Sequence, residues 1–230
     1  ASFSGSPISA FPASDAVAKT FYAKWSSANS YTVNYTLNDA TPAGHPATNP
    51  NTVTSYTVLD ANVTLVPATR NGYDFEGWYD NAAFTGTPIT GFSTSDATNK
   101  HYYAKWSAAK NYTVQWHLND SAPAGHPASN PNTVTSYNVL DADLALQPAT
   151  RTGYDFLGWY DNAALSGSPI TTLRTADAAD KQYYAKWSAA KTYTVQWNLN
   201  DSAPAGHPAS NPNTVVSYTV LDADMSVRPA

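Results

Sequence analysis

The sequence predicts a mainly β fold, arranged as a tandem array of one 81-residue repeat. Three observations support this prediction. Trp25, Trp106 and Trp187 stand 81 residues apart with no gap between copies. Segments that alternate apolar and polar residues recur at equivalent places in each copy, which is typical of half-buried strands. Loops rich in Pro, Gly and Asn separate those segments. A unit of this length is too long for one turn of a solenoid and suits a small domain.

The copies are closely similar: residues 31–107 match residues 112–188 at roughly seven positions in ten. The chain holds just under three copies and opens and closes within a copy, so we expect it to be a piece of a longer array. A strand supplied by a neighbouring unit or chain would complete a broken copy. The predicted domains are the C-terminal part of a preceding repeat, two whole repeats and the N-terminal part of a following repeat, at residues 1–27, 28–108, 109–189 and 190–230.

Short linkers join the copies. The segment after Trp25 is Ser26-Ser27-Ala28-Asn29-Ser30, and segments of equal length follow Trp106 and Trp187. A linker of a few small residues leaves little slack, so neighbouring units should touch or nearly touch. A short linker of constant length therefore predicts an elongated rod.

The first half of each repeat begins with a strand. Residues 31–37 read Tyr-Thr-Val-Asn-Tyr-Thr-Leu, in which every second residue is apolar. Residues 38–51 contain Pro, Gly, Asn and Ala and indicate a loop. Residues 56–59 and 63–65 are rich in β-formers, and the intervening Asp60-Ala61-Asn62 predicts a turn or bulge.

The second half begins at residues 72–79, Gly-Tyr-Asp-Phe-Glu-Gly-Trp-Tyr, an aromatic strand between glycines. Residues 95–98 and 176–179 favour one short helical turn. Residues 102–106, Tyr-Tyr-Ala-Lys-Trp, form the closing strand. Each repeat is thus predicted to hold about four strands and little helix.

The segments Gly-Tyr-x-Phe-x-Gly-Trp-Tyr and Tyr-Ala-Lys-Trp resemble the Listeria–Bacteroides repeat family, which includes the B repeat of internalin-type surface proteins. Both segments occur in full at residues 72–79 with 103–106 and at 153–160 with 184–187, and the closing one recurs at 22–25. The loop at 38–51 is longer than is typical of that family. The resemblance implies small β-grasp-like α+β domains, arrayed in secreted or cell-surface bacterial proteins, without catalytic activity.

Composition excludes several classes of protein. The chain has 12 Lys plus Arg against 17 Asp plus Glu, a net charge of −5, so it lacks the basic surface of a nucleic-acid-binding protein. It has no Cys, which excludes disulfides, thiolate metal sites and Cys nucleophiles. No apolar run approaches the roughly 20 residues of a membrane span. We find no signal-peptide pattern, nucleophile elbow or cleft-forming carboxylate pair, and we expect no enzyme and no cofactor.

One histidine per repeat lies in a Pro-Ala-Gly-His-Pro-Ala segment, at His45, His126 and His207. A single His cannot build a zinc site within one domain. We expect a turn histidine packed on prolines, with a metal that bridges repeats or chains as the alternative. His101 and His117 each occur in one copy, so the array should not depend on them.

Asp and Asn recur in the turn of each repeat. Hard oxygen ligands at alternate positions suit calcium, although the same residues also form turns by binding their own backbone. We therefore regard six residues as weak calcium candidates: Asp60, Asn62, Asp141, Asp143, Asp222 and Asp224.

A lysine stands in each closing strand, at Lys24, Lys105 and Lys186. A buried lysine beside Asn or Asp could form an isopeptide crosslink, with Asp74 or Asp155 as the proton shuttle. The favoured interpretation is that the lysine stem lies over aromatic rings, or that its charge protects a sheet edge.

The aromatic residues could either form the hydrophobic core of each repeat or form an exposed platform that binds carbohydrate. Most must be core, because a unit of this size needs large side chains to offset its ordering entropy. Adjacent Tyr102 and Tyr103 cannot both point inward on one strand, so one faces outward or meets the next unit.

The predicted function is structural: a segment of a bacterial extracellular filament, stalk or adhesin shaft at the cell surface, with neighbouring repeats and other copies of the protein as partners. Low charge density makes assembly through sheet edges plausible. The alternative is a multivalent adhesin module that binds a glycan or a host surface protein.

Overall fold

The computed structural model describes residues 4–14, 16–200 and 209–229. The fold is mainly β, as predicted, and helical structure in this part of the chain is limited to two 3-10 turns, Thr94–Asp96 and Thr175–Asp177. Two compact units account for the chain. The first comprises the described part of residues 1–38 with residues 48–68 and 75–105, and the second comprises residues 39–47 and 69–74 with the described part of 106–230.

The first whole repeat, residues 28–108, is described throughout. Its strands are β1 (Ser30–Thr36), β2 (Ala47–Thr48), β3 (Ser55–Thr57), β4 (Val63–Thr64), β5 (Thr69–Arg70), β6 (Phe75–Tyr79), β7 (Gly91–Phe92) and β8 (Lys100–Trp106). The main sheet has the strand order β3-β1-β8-β6, and β2 pairs with β5 and β4 with β7. The outer strand β3 is antiparallel to β1, whereas the central β1 and β8 run parallel.

The second whole repeat, residues 109–189, reproduces this topology. Its strands are β9 (Tyr112–His117), β10 (Ala128–Ser129), β11 (Ser136–Tyr137), β12 (Leu144–Ala145), β13 (Thr150–Arg151), β14 (Phe156–Tyr160), β15 (Thr172–Leu173) and β16 (Lys181–Trp187). The main sheet has the order β11-β9-β16-β14, with β10 paired to β13 and β12 to β15. Beyond them, β17 (Tyr193–Thr194) pairs with β18 (Ser217–Tyr218).

Side-chain alternation explains the first strand of each repeat. In β1, Val33 is buried while Ser30, Thr32 and Asn34 are exposed, as the period of two in the sequence predicts. The 14-residue loop predicted at 38–51 contains the two-residue strand β2, which the sequence pattern does not indicate. The predicted short helical turns at 95–98 and 176–179 are the 3-10 turns, each of which starts one residue and ends two residues earlier than predicted.

The core of the second repeat lies on one side of its main sheet. Val114, Tyr137, Trp159, Leu173 and Tyr183 form a buried cluster together with Ala149 and Ala185. The indole nitrogen of Trp159 donates to the carbonyl oxygen of Gln147 at 2.8 Å, so the polar edge of the ring is satisfied. Burial raises the pKa of Tyr183 to about 12. The core thus combines residues of both halves of the repeat.

Candidate functional site: the joint between repeats

A glycine of one repeat packs against a valine of the next. Gly72 has a φ of +80°, a conformation that L side chains rarely adopt, and it precedes β6 in a tight turn. A Cβ atom on Gly72 would overlap the side chain of Val139. Val139 is buried in this contact, with 4% of its surface exposed. Glycine is therefore required at this position by the backbone and by the approach of the valine.

Hydrogen bonds tie the linker to the same turn. The backbone N–H of Ser107 donates to the carbonyl oxygen of Asp74 at 3.0 Å, and the N–H of Lys110 donates to the carbonyl oxygen of Gly72 at 2.9 Å. In return, the N–H of Asp74 donates to the hydroxyl oxygen of Ser107 at 3.0 Å. We call Gly72, Asp74, Ser107, Lys110 and Val139, with their equivalents, the joint.

An ion pair completes the joint. The Lys110 ammonium lies 2.9 Å from a carboxylate oxygen of Asp74, and this hydrogen bond and charge raise the pKa of the lysine. The two side chains keep 44% and 64% of their surface exposed. Exposed pairs of this kind contribute little to stability, because water screens the two charges. The backbone hydrogen bonds and the glycine–valine contact therefore dominate the joint.

The joint occurs a second time with nearly the same geometry. Lys191 N donates to Gly153 O at 2.8 Å and Ser188 N to Asp155 O at 2.9 Å. The Lys191 ammonium lies 2.8 Å from Asp155, and a Cβ on Gly153 would overlap Val220. All residues of both joints belong to the second compact unit. The joint is thus a property of the repeated sequence and is not peculiar to one place in the chain.

A buried arginine organises the long loop that precedes each joint. Arg151 is 7% exposed, and its Nε donates to the carbonyl oxygen of His126 at 2.8 Å. Its Nη2 donates to Ala122 O at 3.1 Å and lies 3.3 Å from two further carbonyl oxygens of the loop. The guanidinium also stacks over Tyr154, 4.3 Å from the ring centroid. Arg70 makes the equivalent contacts, including Nε to His45 O at 2.9 Å.

No motif in the sequence marks Arg70 or Arg151 as important. The available signal is the recurrence of Ala-Thr-Arg before the Gly-Tyr turn in a chain with only 12 basic residues. A guanidinium that donates to several carbonyl oxygens replaces the secondary structure that the Pro-rich loop lacks.

The loop histidines lie beside tyrosines of the Gly-Tyr turn. The ring centroids of His45 and Tyr73 are 6.3 Å apart, and those of His126 and Tyr154 are 6.4 Å apart. His207 lies outside the described residues. Across the described ranges, no three His, Cys, Asp or Glu side chains converge to hold a metal ion.

The turn carboxylates accept hydrogen bonds from their own segment. Asp60 accepts from the backbone N–H of Thr57 at 2.6 Å and from its hydroxyl at 3.0 Å, and these bonds lower the pKa of Asp60. Asp141 and Asp222 accept from the equivalent backbone N–H groups at 2.8 and 2.6 Å.

The other calcium candidates, Asn62, Asp143 and Asp224, come two residues after these aspartates. Asn62 and Asp143 each accept from the N–H and the hydroxyl of the threonine that starts the 3-10 turn. Asp224 lines a groove near the C-terminal end of the described chain. Calcium binding by these six residues stays a prediction.

The strand lysines lie over aromatic rings. Lys105 is 5.7 Å from the Tyr79 ring centroid and forms a 3.0 Å ion pair with Glu76. Lys186 is 4.9 Å from the Tyr160 ring and donates to the carbonyl oxygen of Leu165 at 3.2 Å. Lys24 is exposed. The acids named as proton shuttles, Asp74 and Asp155, pair with the joint lysines, and an isopeptide crosslink stays a prediction.

The outward tyrosine of the closing strand carries a stacked imidazole in both repeats. His101 stacks on Tyr103 and His117 on Tyr184, each with ring centroids 4.3 Å apart. The two histidines occupy different positions of the repeat: His101 lies on the same strand as Tyr103, whereas His117 pairs with Tyr184 from the neighbouring strand. Tyr102 is buried, in agreement with the expectation that Tyr102 and Tyr103 point to opposite faces.

The sequence model of the Listeria-Bacteroides repeat domain family matches the amino-acid sequence twice, at residues 31–105 and 112–186. Two relatives come from Evansella cellulosilytica. One, named "Putative membrane protein", is 28% identical over 187 residues, covering 79% of this chain and 24% of the relative. The other, named "Putative Gly-rich membrane protein", is 25% identical over 182 residues, covering 79% of this chain and 18% of the relative.

The chain therefore spans a quarter or less of the length of these relatives. No solved structure matches the chain significantly. In the part of the chain that the structure describes, none of the helical segments has the length and apolar character needed to cross a membrane.

Proposed function

Because the chain belongs to the Listeria-Bacteroides repeat domain family, we propose that it is a structural segment of a bacterial cell-surface protein, a stalk or adhesin shaft built from tandem repeats. The observation that carries this proposal is the joint, which occurs twice with the same contacts. A joint that uses backbone hydrogen bonds and a glycine–valine contact restricts the rotation of one repeat against the next. The number of repeats then determines the length of the array.

Topology supports a β-grasp-like assignment for each repeat. The main sheet has two central parallel strands, each flanked by a further strand, in the order β3-β1-β8-β6. An α+β domain of this type would have a full helix in the segment that connects the two parallel strands β1 and β8. Here the helical structure of that segment is limited to the 3-10 turn Thr94–Asp96.

The proposed location is the extracellular side of the cell surface. Support comes from the relatives, which are named as membrane proteins and extend well beyond the region they share with this chain. The repeats would then be one segment of a larger protein, with any anchor or tip outside them. The proposal gives the repeats no catalytic activity and no cofactor.

Distance measurements between two nitroxide labels test this proposal. The chain has no cysteine, so Thr87→Cys and Ser168→Cys place one label on the same exposed turn of each whole repeat. We expect a single narrow distance distribution, because the joint fixes the orientation of consecutive repeats. Adding Gly72→Ala should broaden the distribution, because the new Cβ overlaps Val139.

Gly44→Ala is the matched control, because Gly44 is not next to a labelled residue. Gly44 has a φ of +88°, close to that of Gly72, but a Cβ there would meet nothing within 4 Å. Both variants therefore carry the backbone strain of a left-handed alanine, about 1–2 kcal/mol, and only Gly72→Ala disturbs the joint. A broad distribution in the parent chain, or equal widths in the two variants, would contradict the proposal.

A multivalent binding module is the second candidate. The stacked imidazole and phenol on the outward sheet face of each whole repeat favour it, because a repeated aromatic patch could contact a glycan at a fixed spacing. Replacement of His117 and Tyr184 by alanine should then reduce adhesion to a glycan surface, whereas a shaft without a ligand would show no change.

A further inference from the structure

The dipeptide Asn-Gly occurs once in the sequence, at Asn71-Gly72, and it lies in the joint. The two residues occupy the middle of a β-turn, which the N–H of Tyr73 closes by donating to the carbonyl oxygen of Arg70 at 3.2 Å. Gly72 has a positive φ and Asn71 does not, as in a turn of type II. The dipeptide is therefore held in a defined backbone conformation at the contact between two repeats.

The side chain of Asn71 reaches the following repeat. Its Nδ2 donates to the carbonyl oxygen of Ala176, in the 3-10 turn of that repeat, at 2.7 Å. Gly72 is buried under Val139, and its carbonyl oxygen accepts the N–H of Lys110 at 2.9 Å. Asn71 itself is exposed. Water therefore reaches the asparagine, while the glycine that follows it is covered.

Asparagine followed by glycine can lose its side-chain amide without an enzyme, because glycine has no Cβ to hinder the attack. The backbone nitrogen of Gly72 gives its proton to solvent base and forms a bond with Cγ of Asn71. The Cγ–Nδ2 bond then breaks and ammonia leaves, which closes a cyclic imide. Water adds to either carbonyl carbon of the imide and breaks one C–N bond, so residue 71 becomes aspartate or isoaspartate. The reaction consumes one molecule of water and releases one of ammonia.

The second described joint has the same turn without the reactive side chain. Gly153 has a φ of +79°, and the N–H of Tyr154 donates to the carbonyl oxygen of Arg151 at 3.2 Å. Thr152 stands where the first joint has Asn71, and threonine has no amide to lose. The two joints therefore share a backbone geometry and differ in their chemistry.

We propose that Asn71 is a modification site at which this spontaneous loss of ammonia occurs, and that the closed joint restrains the reaction. The hydrogen bond to Ala176 holds the amide in place. Burial of Gly72 keeps base away from the nitrogen that must lose its proton. Local opening of the joint removes both restraints, so the modification records that the joint has opened.

The modified joint does not close as before. A carboxylate at position 71 only accepts hydrogen bonds, so the bond to the carbonyl oxygen of Ala176 is lost. Isoaspartate also adds a methylene group to the main chain, which moves Gly72 out of its contacts with Val139 and Lys110. The modification therefore makes an opening of this joint permanent.

Peptide mapping by mass spectrometry tests the proposal on the full chain. The parent chain is incubated at mildly alkaline pH, either folded or in denaturant, and the exchange of amide for acid at position 71 is followed by its gain in mass. Chromatography separates the aspartate and isoaspartate products. We expect conversion that is slow in the folded chain and several-fold faster in denaturant. Asn71→Thr, which introduces the residue of the second joint, should show no conversion at this position.

A crossed pair of variants separates opening of one joint from general unfolding. Thr152→Asn gives the second joint the same dipeptide, so that positions 71 and 152 are measured in one molecule. On this background, Val139→Ala should speed conversion at position 71 several-fold and leave position 152 unchanged. Val220→Ala should do the reverse, because Val220 covers Gly153 as Val139 covers Gly72.

Three results would overturn the proposal. They are an absence of conversion at position 71 in denaturant, equal rates in the folded and the denatured parent chain, and valine substitutions that speed both positions equally in chains that circular dichroism shows to be folded. The comparison of the folded with the denatured parent does not depend on the valine variants, so it decides the proposal even where one of them unfolds.

Discussion

At the scale of single residues, Arg151 and Arg70 organise the irregular part of each repeat. The loop that they hold contains Pro, Gly and Ala, which offer few side-chain hydrogen bonds. Each guanidinium reaches several carbonyl oxygens at once and stacks on a tyrosine. A lysine could not do this, because its ammonium is a compact charge without the planar fork.

Arg151→Lys should therefore destabilise the protein by about 2 kcal/mol, since several buried carbonyl oxygens lose their donors. The measurement is the free energy of unfolding by chemical denaturation. Arg174→Lys is the matched control: Arg174 is exposed and makes no side-chain cap bond at the 3-10 turn that it precedes, so its replacement should change stability little. Equal losses in the two variants would exclude the clamping role of Arg151.

At the scale of elements, alternation along β9 places two adjacent half-buried residues, Trp116 and His117, on opposite faces of the sheet. Trp116 packs on Trp159 at 4.9 Å and on Tyr183 at 5.1 Å. Its neighbour His117 lies on the opposite face against Tyr184. Ligand binding is therefore tested by substitution of His117, whereas substitution of Trp116 tests the contribution of the core to stability.

Trp116→Ala should lower the free energy of unfolding by about 3 kcal/mol or more, because a large ring leaves the core and Val134 O loses its donor. His117→Ala should cost about 1 kcal/mol or less, because His117 is only half-buried and its buried Nε2 makes no hydrogen bond within the described part of the chain that the substitution would remove. Thermal unfolding of both variants checks the pair. A larger loss for His117→Ala would show that the outward face contributes to the fold.

The longer strands and the repeat were predictable because periodicity and self-similarity can be seen in the sequence without knowledge of the fold. β1, β6 and β8 have clear patterns, as does the turn at Asp60. Strands β5 and β7 could not be found, because two residues carry no period. The contacts of the joint could not be predicted either. The short linkers predicted that neighbouring units approach each other, but the contact of Gly72 with Val139 joins residues far apart in the chain.

For the whole molecule, we propose that the joint gives every repeat the same fixed relation to the next. The two described joints support this proposal with backbone hydrogen bonds of 2.8–3.0 Å. If the relation is fixed, the length of an array grows by a constant amount with each added repeat. If the linkers were free, the array would behave as a flexible chain.

Small-angle X-ray scattering from arrays of two, four and six repeats tests this claim most directly. We predict that the radius of gyration of long arrays increases in proportion to the number of repeats, and that glycine-to-alanine replacement at every joint reduces this increase. An increase with about the square root of the number of repeats, unchanged by the replacements, would contradict the account.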